Sequence, residues 1–178
     1  MGTTVWTVGH STRPLAEFLE VLAAHEIALV ADVRRFPGSR RLPHYGEHAL
    51  AEALAARSVD YRWLPALGGR RHPDPASPNL GWRHPAFRAY ADHAATDAFA
   101  DGLFELLTLA HGCRTVIMCA EVLWWRCHRR IVADVLTALG VPVLHIRDAL
   151  VVERHRLAPP ARLVNGRLTY EPDPDVPG

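Results

Sequence analysis

The sequence predicts an α/β fold: a single domain over residues 1–170, with a mostly parallel sheet, helices on both of its faces and a C-terminal β-hairpin. Three observations predict it. Short β-branched runs alternate with helical patterns, and such alternation calls for crossover helices covering both sides of parallel strands. A chain of 178 residues, 49% apolar and 22% charged, has the material for one sizeable core. Near the end, Asn165-Gly166 supplies the two residues that accept positive φ in a tight hairpin turn.

In chain order, the strand-like runs are Thr4–Val8, Ala28–Val33, Tyr61–Leu64, Thr115–Cys119 and Pro142–Ile146. The helix after the first run is expected to start near Ser11 or Thr12, either of which can cap it, with Pro14 in its first turn. Leu15, Phe18, Leu19 and Leu22 form its inward face. Thr96 caps another helix, whose Phe99, Leu103, Leu106, Leu107 and Ala110 recur at helical spacing before Gly112 stops it. After the fourth run, Ile131, Val132, Val135, Leu136 and Leu139 define a buried stripe. One turn back from Ile131 and Val132, Cys127 and His128 point inward, whereas Arg126, Arg129, Arg130 and Asp134 fall outside. The segment 162–169 reads as a small antiparallel ribbon appended to the sheet, and 171–178 as a flexible proline-rich tail.

Composition removes several function classes. No lysine occurs, so all 20 basic residues are arginine; Schiff-base chemistry, pyridoxal phosphate attachment and the P-loop clamp are excluded. A net charge of +1 gives no global basic field for phosphate-driven binding. Three scattered cysteines and no signal-like start point to a reducing, cytoplasmic location. No apolar run approaches the ~18 residues of a membrane span, so no membrane partner is expected. Trp6 stands where myristoylation needs Ser or Thr.

In open α/β sheets ligands gather beyond the carboxyl ends of the strands. Here those exits are polar: Gly9-His10-Ser11-Thr12, Asp32 through Arg41, Leu67-Gly68-Gly69-Arg70-Arg71, and Cys119-Ala120-Glu121 followed by Trp124 through Arg130. A thiol at a strand end, facing a helix start with arginines nearby, is favoured as thiolate. Cys113 reads as an ordinary small hydrophobe. The phosphatase spacing fails by one, because Trp125 occupies the position that arginine needs and Arg126 follows it. Cys119 and Cys127 are too far apart for a C-x-x-C pair, and zinc ligands at Cys119, Cys127, His128 and His10 lack the spacing of structural sites. His25 and His155 fall where exposure is the default. Arginine forks at Arg34, Arg35, Arg40, Arg41, Arg70 and Arg71 suit phosphate or carboxylate, with Gly38, Gly68 and Gly69 allowing close backbone approach. The same arginines equally suit structural pairing with Asp32, Glu47 and Glu121.

The blocks Val8-Gly-His-Ser-Thr12, Asp32-Val-Arg-Arg-Phe-Pro37, Leu67-Gly-Gly69, Asn79-Leu-Gly-Trp-Arg83 and Met118-Cys-Ala-Glu through Cys127-His-Arg-Arg130 resemble the domain-of-unknown-function family 488, over about residues 4 to 148. The resemblance implies one compact α/β domain and a polar cluster at His10, Ser11, Asp32, Arg34, Cys119, Glu121, Cys127, His128 and Arg129. It implies no reaction. Trp124 follows Leu123 here, where similar sequences often carry Pro before a single Trp.

The first functional expectation is an enzyme, a cysteine-dependent hydrolase, transferase or redox catalyst, acting on an anionic and nucleotide-like small molecule. Cys119 is its nucleophile or redox thiol, His10 or His128 the base, and Asp32 or Glu121 the group that orients the base. Arg34 and Arg129 clamp the anion, with Ser11, Thr12, Arg35, Gly68, Gly69, Arg70 and Trp125 lining the site. Other readings are a metal- or haem-binding protein with Cys119, Cys127, His128 or His10 as ligands, and a nucleic-acid-binding or processing protein that stacks bases on Trp63, Trp82, Trp124 and Trp125. A purely structural role has Asp32–Arg34 and Glu121–Arg129 as satisfied pairs.

Overall fold

The computed structural model describes residues 2–38 and 40–172; most of the proline-rich tail, from residue 173 on, lies outside them. Five strands run parallel: β1 (Val5–Gly9), β2 (Leu29–Asp32), β3 (Asp60–Trp63), β4 (Thr115–Cys119) and β5 (Val143–Ile146). A three-residue strand, β6 (Val152–Arg154), pairs antiparallel with β5, giving the order β3-β2-β4-β1-β5-β6. The helices are α1 (Leu15–Ala24), α2 (Glu47–Ala55), α3 (Pro85–Ala94), α4 (Asp97–Gly112) and α5 (Arg129–Ala138).

Two separate cores show that both faces are covered. Phe18, Leu22, Leu50 and Leu54, from α1 and α2, bury Val8, Val30, Val116 and Met118 of the strands. On the other face Tyr90, Phe99, Leu106, Ile131 and Leu136, from α3 to α5, bury Val5, Ala31 and Ile117. Strand alternation therefore assigns each side chain of β4 to one core or the other: Val116 and Met118 to the first, Ile117 and Cys119 to the second.

Thr96 accepts from the Phe99 amide and caps α4 as expected. Asn165 and Gly166 both adopt positive φ, at 51° and 76°, between β7 (Arg162–Val164) and β8 (Arg167–Thr169). This ribbon is its own two-stranded sheet, packed on α5, and not an extension of the main sheet; β6 takes that edge instead. α1 begins at Leu15 with Pro14 at the cap and no side-chain cap. Ser11 and Thr12 do not serve there because Ser11 turns the chain at φ 49° before the helix starts. In α5 the outward assignment of Arg129 and Asp134 is also corrected: both are fully buried, while Leu139 is exposed, because this helix is covered by the sheet on one side and by α3 and β8 on the other. His155 is buried as well, held by hydrogen bonds to His145 and Asp134.

Candidate functional site

The loops beyond the carboxyl edge of the sheet enclose a cavity of about 550 Å³. Cys119, at the last position of β4, and Cys127, just before α5, lie on it together with His128, Glu121, Gly69 and Trp125. Arg34, Arg35, Arg70 and Arg126 also line it. Among the described residues no carboxylate forms an ion pair with Arg35, Arg70 or Arg126; Arg35 Nη1 donates to the Arg70 carbonyl at 2.6 Å.

The sulfur atoms of Cys119 and Cys127 and a ring nitrogen of His128 all lie within 4.8 Å of one another. His128 Nε2 is 3.0 Å from the Val33 carbonyl, to which it donates; Nδ1 is thereby left facing Cys127 Sγ at 3.5 Å. Arg129, itself buried, donates from Nε to Cys127 Sγ at 3.4 Å and from Nη2 to the Glu121 carbonyl. Burial opposes ionisation of Cys127, but the neighbouring Cys119 thiol, His128 and Arg129 outweigh it and hold Cys127 well below the usual thiol range. The N-terminus of α5 adds its positive end. Cys119 goes the other way: proximity to the Cys127 sulfur, then burial, push it well up. The two thiols thus shift in opposite directions.

The other sequence-predicted residues do not all join this group. Asp32 lies on the opposite face of the sheet, one residue out of phase with Val33, and holds Arg34 through Nε at 2.9 Å and Nη2 at 2.5 Å. Tyr61 donates to the same carboxylate at 2.7 Å. The Arg34 Nη1 group donates to the Tyr45 carbonyl, so most of this guanidinium is committed inside the protein. His10 stacks on Tyr45 at 4.0 Å, donates from Nδ1 to the Ser11 carbonyl at 2.8 Å, and has Nε2 3.5 Å from Arg34 Nη1. Burial lowers its pKa to about 4, and Arg34 adds to the effect. Both ring nitrogens being occupied there, His10 is placed neither as a base for the cysteines nor as a fourth donor beside them. Ser11, Thr12 and Gly68 lie off the cavity wall, and Arg129 sits beneath it. The Glu121 carboxylate accepts from the Leu123 amide; it is the Glu121 backbone carbonyl, not its side chain, that meets Arg129.

The sequence reading missed the apolar wall, Phe36, Phe87 and Tyr90. It also missed a buried polar chain below the site. Arg129 Nη1 donates to Thr7 Oγ1 at 3.4 Å, and Thr7 meets His145 Nδ1 at 2.7 Å. His145 Nε2 lies 2.9 Å from His155 Nδ1, and His155 Nε2 lies 2.8 Å from Asp134 Oδ1. Tyr170 donates to the second Asp134 oxygen at 2.8 Å. Trp124, the additional tryptophan, lies flat on His145 at 4.0 Å and closes this chain off. Alternation would have placed Thr7 and His145 on the α5 side of β1 and β5; nothing local marks Asp134 or His155 as buried.

Three ligand atoms on one cavity floor can hold a soft divalent ion, with Cys119, Cys127 and His128 as donors. The Arg129 guanidinium against Cys127 already supplies the sulfur with a positive charge. No helix among the described residues is long and apolar enough to cross a membrane. No curated protein and no solved structure matches the chain. Residues 14–136, which include both cysteines, match a domain of unknown function, DUF488; the protein belongs to that family.

Proposed function

We propose that the protein is an enzyme that uses the Cys127 thiolate as nucleophile on an anionic, ring-bearing small molecule of nucleotide-like chemistry. The observation that supports this most directly is the Arg129–Cys127–His128 contact at the floor of a cavity walled by Arg35, Arg70 and Arg126. His128 Nδ1 is the base that takes the Cys127 proton and returns it to the leaving group. Cys119, which the sequence favoured for attack, is the neighbouring thiol that supports the charge on Cys127. The wall arginines receive the anionic group, and Phe36, Phe87 and Trp125 offer faces for a planar ring. Glu121 is the remaining carboxylate on the wall, available for a second proton transfer.

Alkylation by iodoacetamide, resolved by peptide mapping, tests the reading. Cys127 is expected to react at pH 6 nearly as fast as at pH 9, and adenosine monophosphate is expected to protect it more strongly than inorganic phosphate. Arg126→Glu is expected to remove that protection, weakening binding by about tenfold or more. A Cys127 that reacts only as an ordinary thiol, or purified protein carrying one equivalent of zinc on these cysteines, overturns the proposal. A steep salt-dependent affinity for single-stranded nucleic acid in place of mononucleotide protection would replace the small-molecule substrate.

A further inference from the structure

Cys119 and Cys127 stand eight positions apart in the sequence, outside any short redox motif. Folding nevertheless brings them together. β4 delivers one sulfur and the turn before α5 the other, onto the same cavity floor and within 4.8 Å. The two are chemically unequal. Cys127 is contacted by the Arg129 guanidinium and the His128 ring, and Cys119 makes neither hydrogen bond. A sulfur flanked by a guanidinium and an imidazole, with a second thiol beside it, is the arrangement of an attacking and a resolving cysteine.

We infer that Cys127 and Cys119 form a dithiol centre that reduces hydroperoxides and closes to a reversible disulfide. This rests on the thiolate assignment of Cys127 made above and adds a reaction to it. The Cys127 sulfur attacks the distal oxygen of the hydroperoxide, the O–O bond breaks, and the alkoxide leaves with the proton held by His128, giving an alcohol and a Cys127 sulfenic acid. Cys119 then attacks the sulfenic sulfur. The S–S bond forms, the S–O bond breaks, and hydroxide departs with the Cys119 proton as water. In sum the two thiols give up two electrons and two protons, and a small thiol reverses the change by exchange. The apolar stretch of wall at Phe36, Phe87 and Trp125 suits the organic end of an alkyl hydroperoxide.

Closure needs the sulfurs to approach to about 2.05 Å. The segment that must yield is the short 3-10 turn Trp124–Arg126 with Cys127 behind it, not the strand. Once the disulfide forms, the thiolate proposed for substrate attack is gone, so the same cavity is switched off by oxidant.

The experiment treats the full chain with one equivalent of cumene hydroperoxide at pH 6 and reads intact mass, free thiols and peptide maps under non-reducing conditions. The wild-type chain is expected to lose the mass of two hydrogen atoms, link Cys119 to Cys127, and leave Cys113 free at the end of α4. In Cys119→Ser, Cys127 is expected to stop at a sulfenic acid trapped by dimedone. In Cys127→Ser, consumption of hydroperoxide is expected to fall by more than about tenfold. Wild-type protein that accumulates sulfinic acid on Cys127 while Cys119 stays free overturns the inference, as does protein inert to hydroperoxide. If Cys127 of untreated protein alkylates rapidly at pH 6 in either case, the proposed nucleophile stands and only the dithiol centre falls; if it does not, both fall. Treatment with dithiothreitol must restore both thiols, and failure to do so also counts against the inference.

Discussion

Asp32 exposes no surface, yet its carboxylate is surrounded by donors: the Arg34 backbone amide, the Arg34 guanidinium and the Tyr61 hydroxyl. The guanidinium is in turn finished by the Tyr45 carbonyl. A buried charge with every group satisfied is tolerated; a buried charge that has lost its partner is not. Asp32→Asn therefore strands Arg34 in the interior and is expected to cost roughly 3–5 kcal/mol of stability, measured by urea unfolding, while leaving the pH profile of Cys127 alkylation unchanged. A loss below about 1 kcal/mol would mean that water reaches Arg34. The same logic separates roles within the arginines. Arg34 and Arg129 are committed to internal acceptors, Arg35 gives one donor to the Arg70 carbonyl, and Arg70 and Arg126 line the cavity without an ion-pair partner among the described residues. Sequence alone listed all of these types together, because an arginine holding the fold and an arginine awaiting an anion are spelled identically.

α5 joins the cavity to the interior. Its N-terminal end carries Cys127 and His128, its inner surface carries Arg129, and further along Asp134 closes the chain through His155, His145 and Thr7. Since Thr7 Oγ1 accepts from Arg129, its hydroxyl proton is free to go to His145 Nδ1, and each later ring can donate to the next until the carboxylate is reached. The helix is thus electrically anchored at its start and at its middle. Its buried surface was only half legible in advance: Ile131, Val132 and Leu136 announce themselves by spacing, whereas Arg129 and Asp134 are polar residues on a helix that has neighbours on two sides. Local turn chemistry was legible at Asn165-Gly166 but not at Ser11, whose positive φ overrides its capping potential; nor was the three-residue β6, because its pairing with β5 is made by the fold and not by its own sequence. The loop after β3 is placed as tightly as the helix. A Cβ on Gly69 would lie 2.7 Å from His128 Nδ1. Gly69→Ala is expected to push the imidazole off the sulfur and move the low-pH limb of the Cys127 alkylation profile up by about one pH unit, equivalent to about 1.4 kcal/mol, with far-UV circular dichroism unchanged. An unshifted profile would show that the His128 contact does not govern the thiolate.

At the scale of the molecule, the sheet divides its polar groups. The sequence correctly brought four strand exits to one edge, but treated them as one cluster. Alternation splits them: Asp32 shares a face with Met118, and Val33 shares one with Cys119, so Asp32 and the Cys119–Cys127–His128 group are rooted on different faces, while Arg34, held by Asp32, still reaches the cavity wall. That period of two was present in the sequence, and only the register between strands was missing. Each side buries a histidine that stays uncharged: His10, lowered to about 4 by burial, and His145, lowered to about 2 by burial together with His155 and Arg129. The unfolded chain binds protons at these rings near pH 6.5 and the folded chain does not, so stability is expected to fall as pH drops below 6.5. The contribution of His10 is spent by about pH 4 and that of His145 continues lower, each at most about 1.4 kcal/mol per pH unit. Urea midpoints between pH 7 and pH 4 measure the slope; His145→Gln should flatten it, and a midpoint independent of pH would contradict it. Gly9 pairs with Cys119 across β1 and β4, and a Cβ there would stand 2.0 Å from the Glu121 carbonyl oxygen. Two stretches of chain more than a hundred residues apart therefore rest on each other at a single pinch point, and the same oxygen is the one Arg129 grips. Even one added methyl at residue 9 would drive the Glu121 backbone outward, and with it the stretch of wall from Cys119 to Glu121.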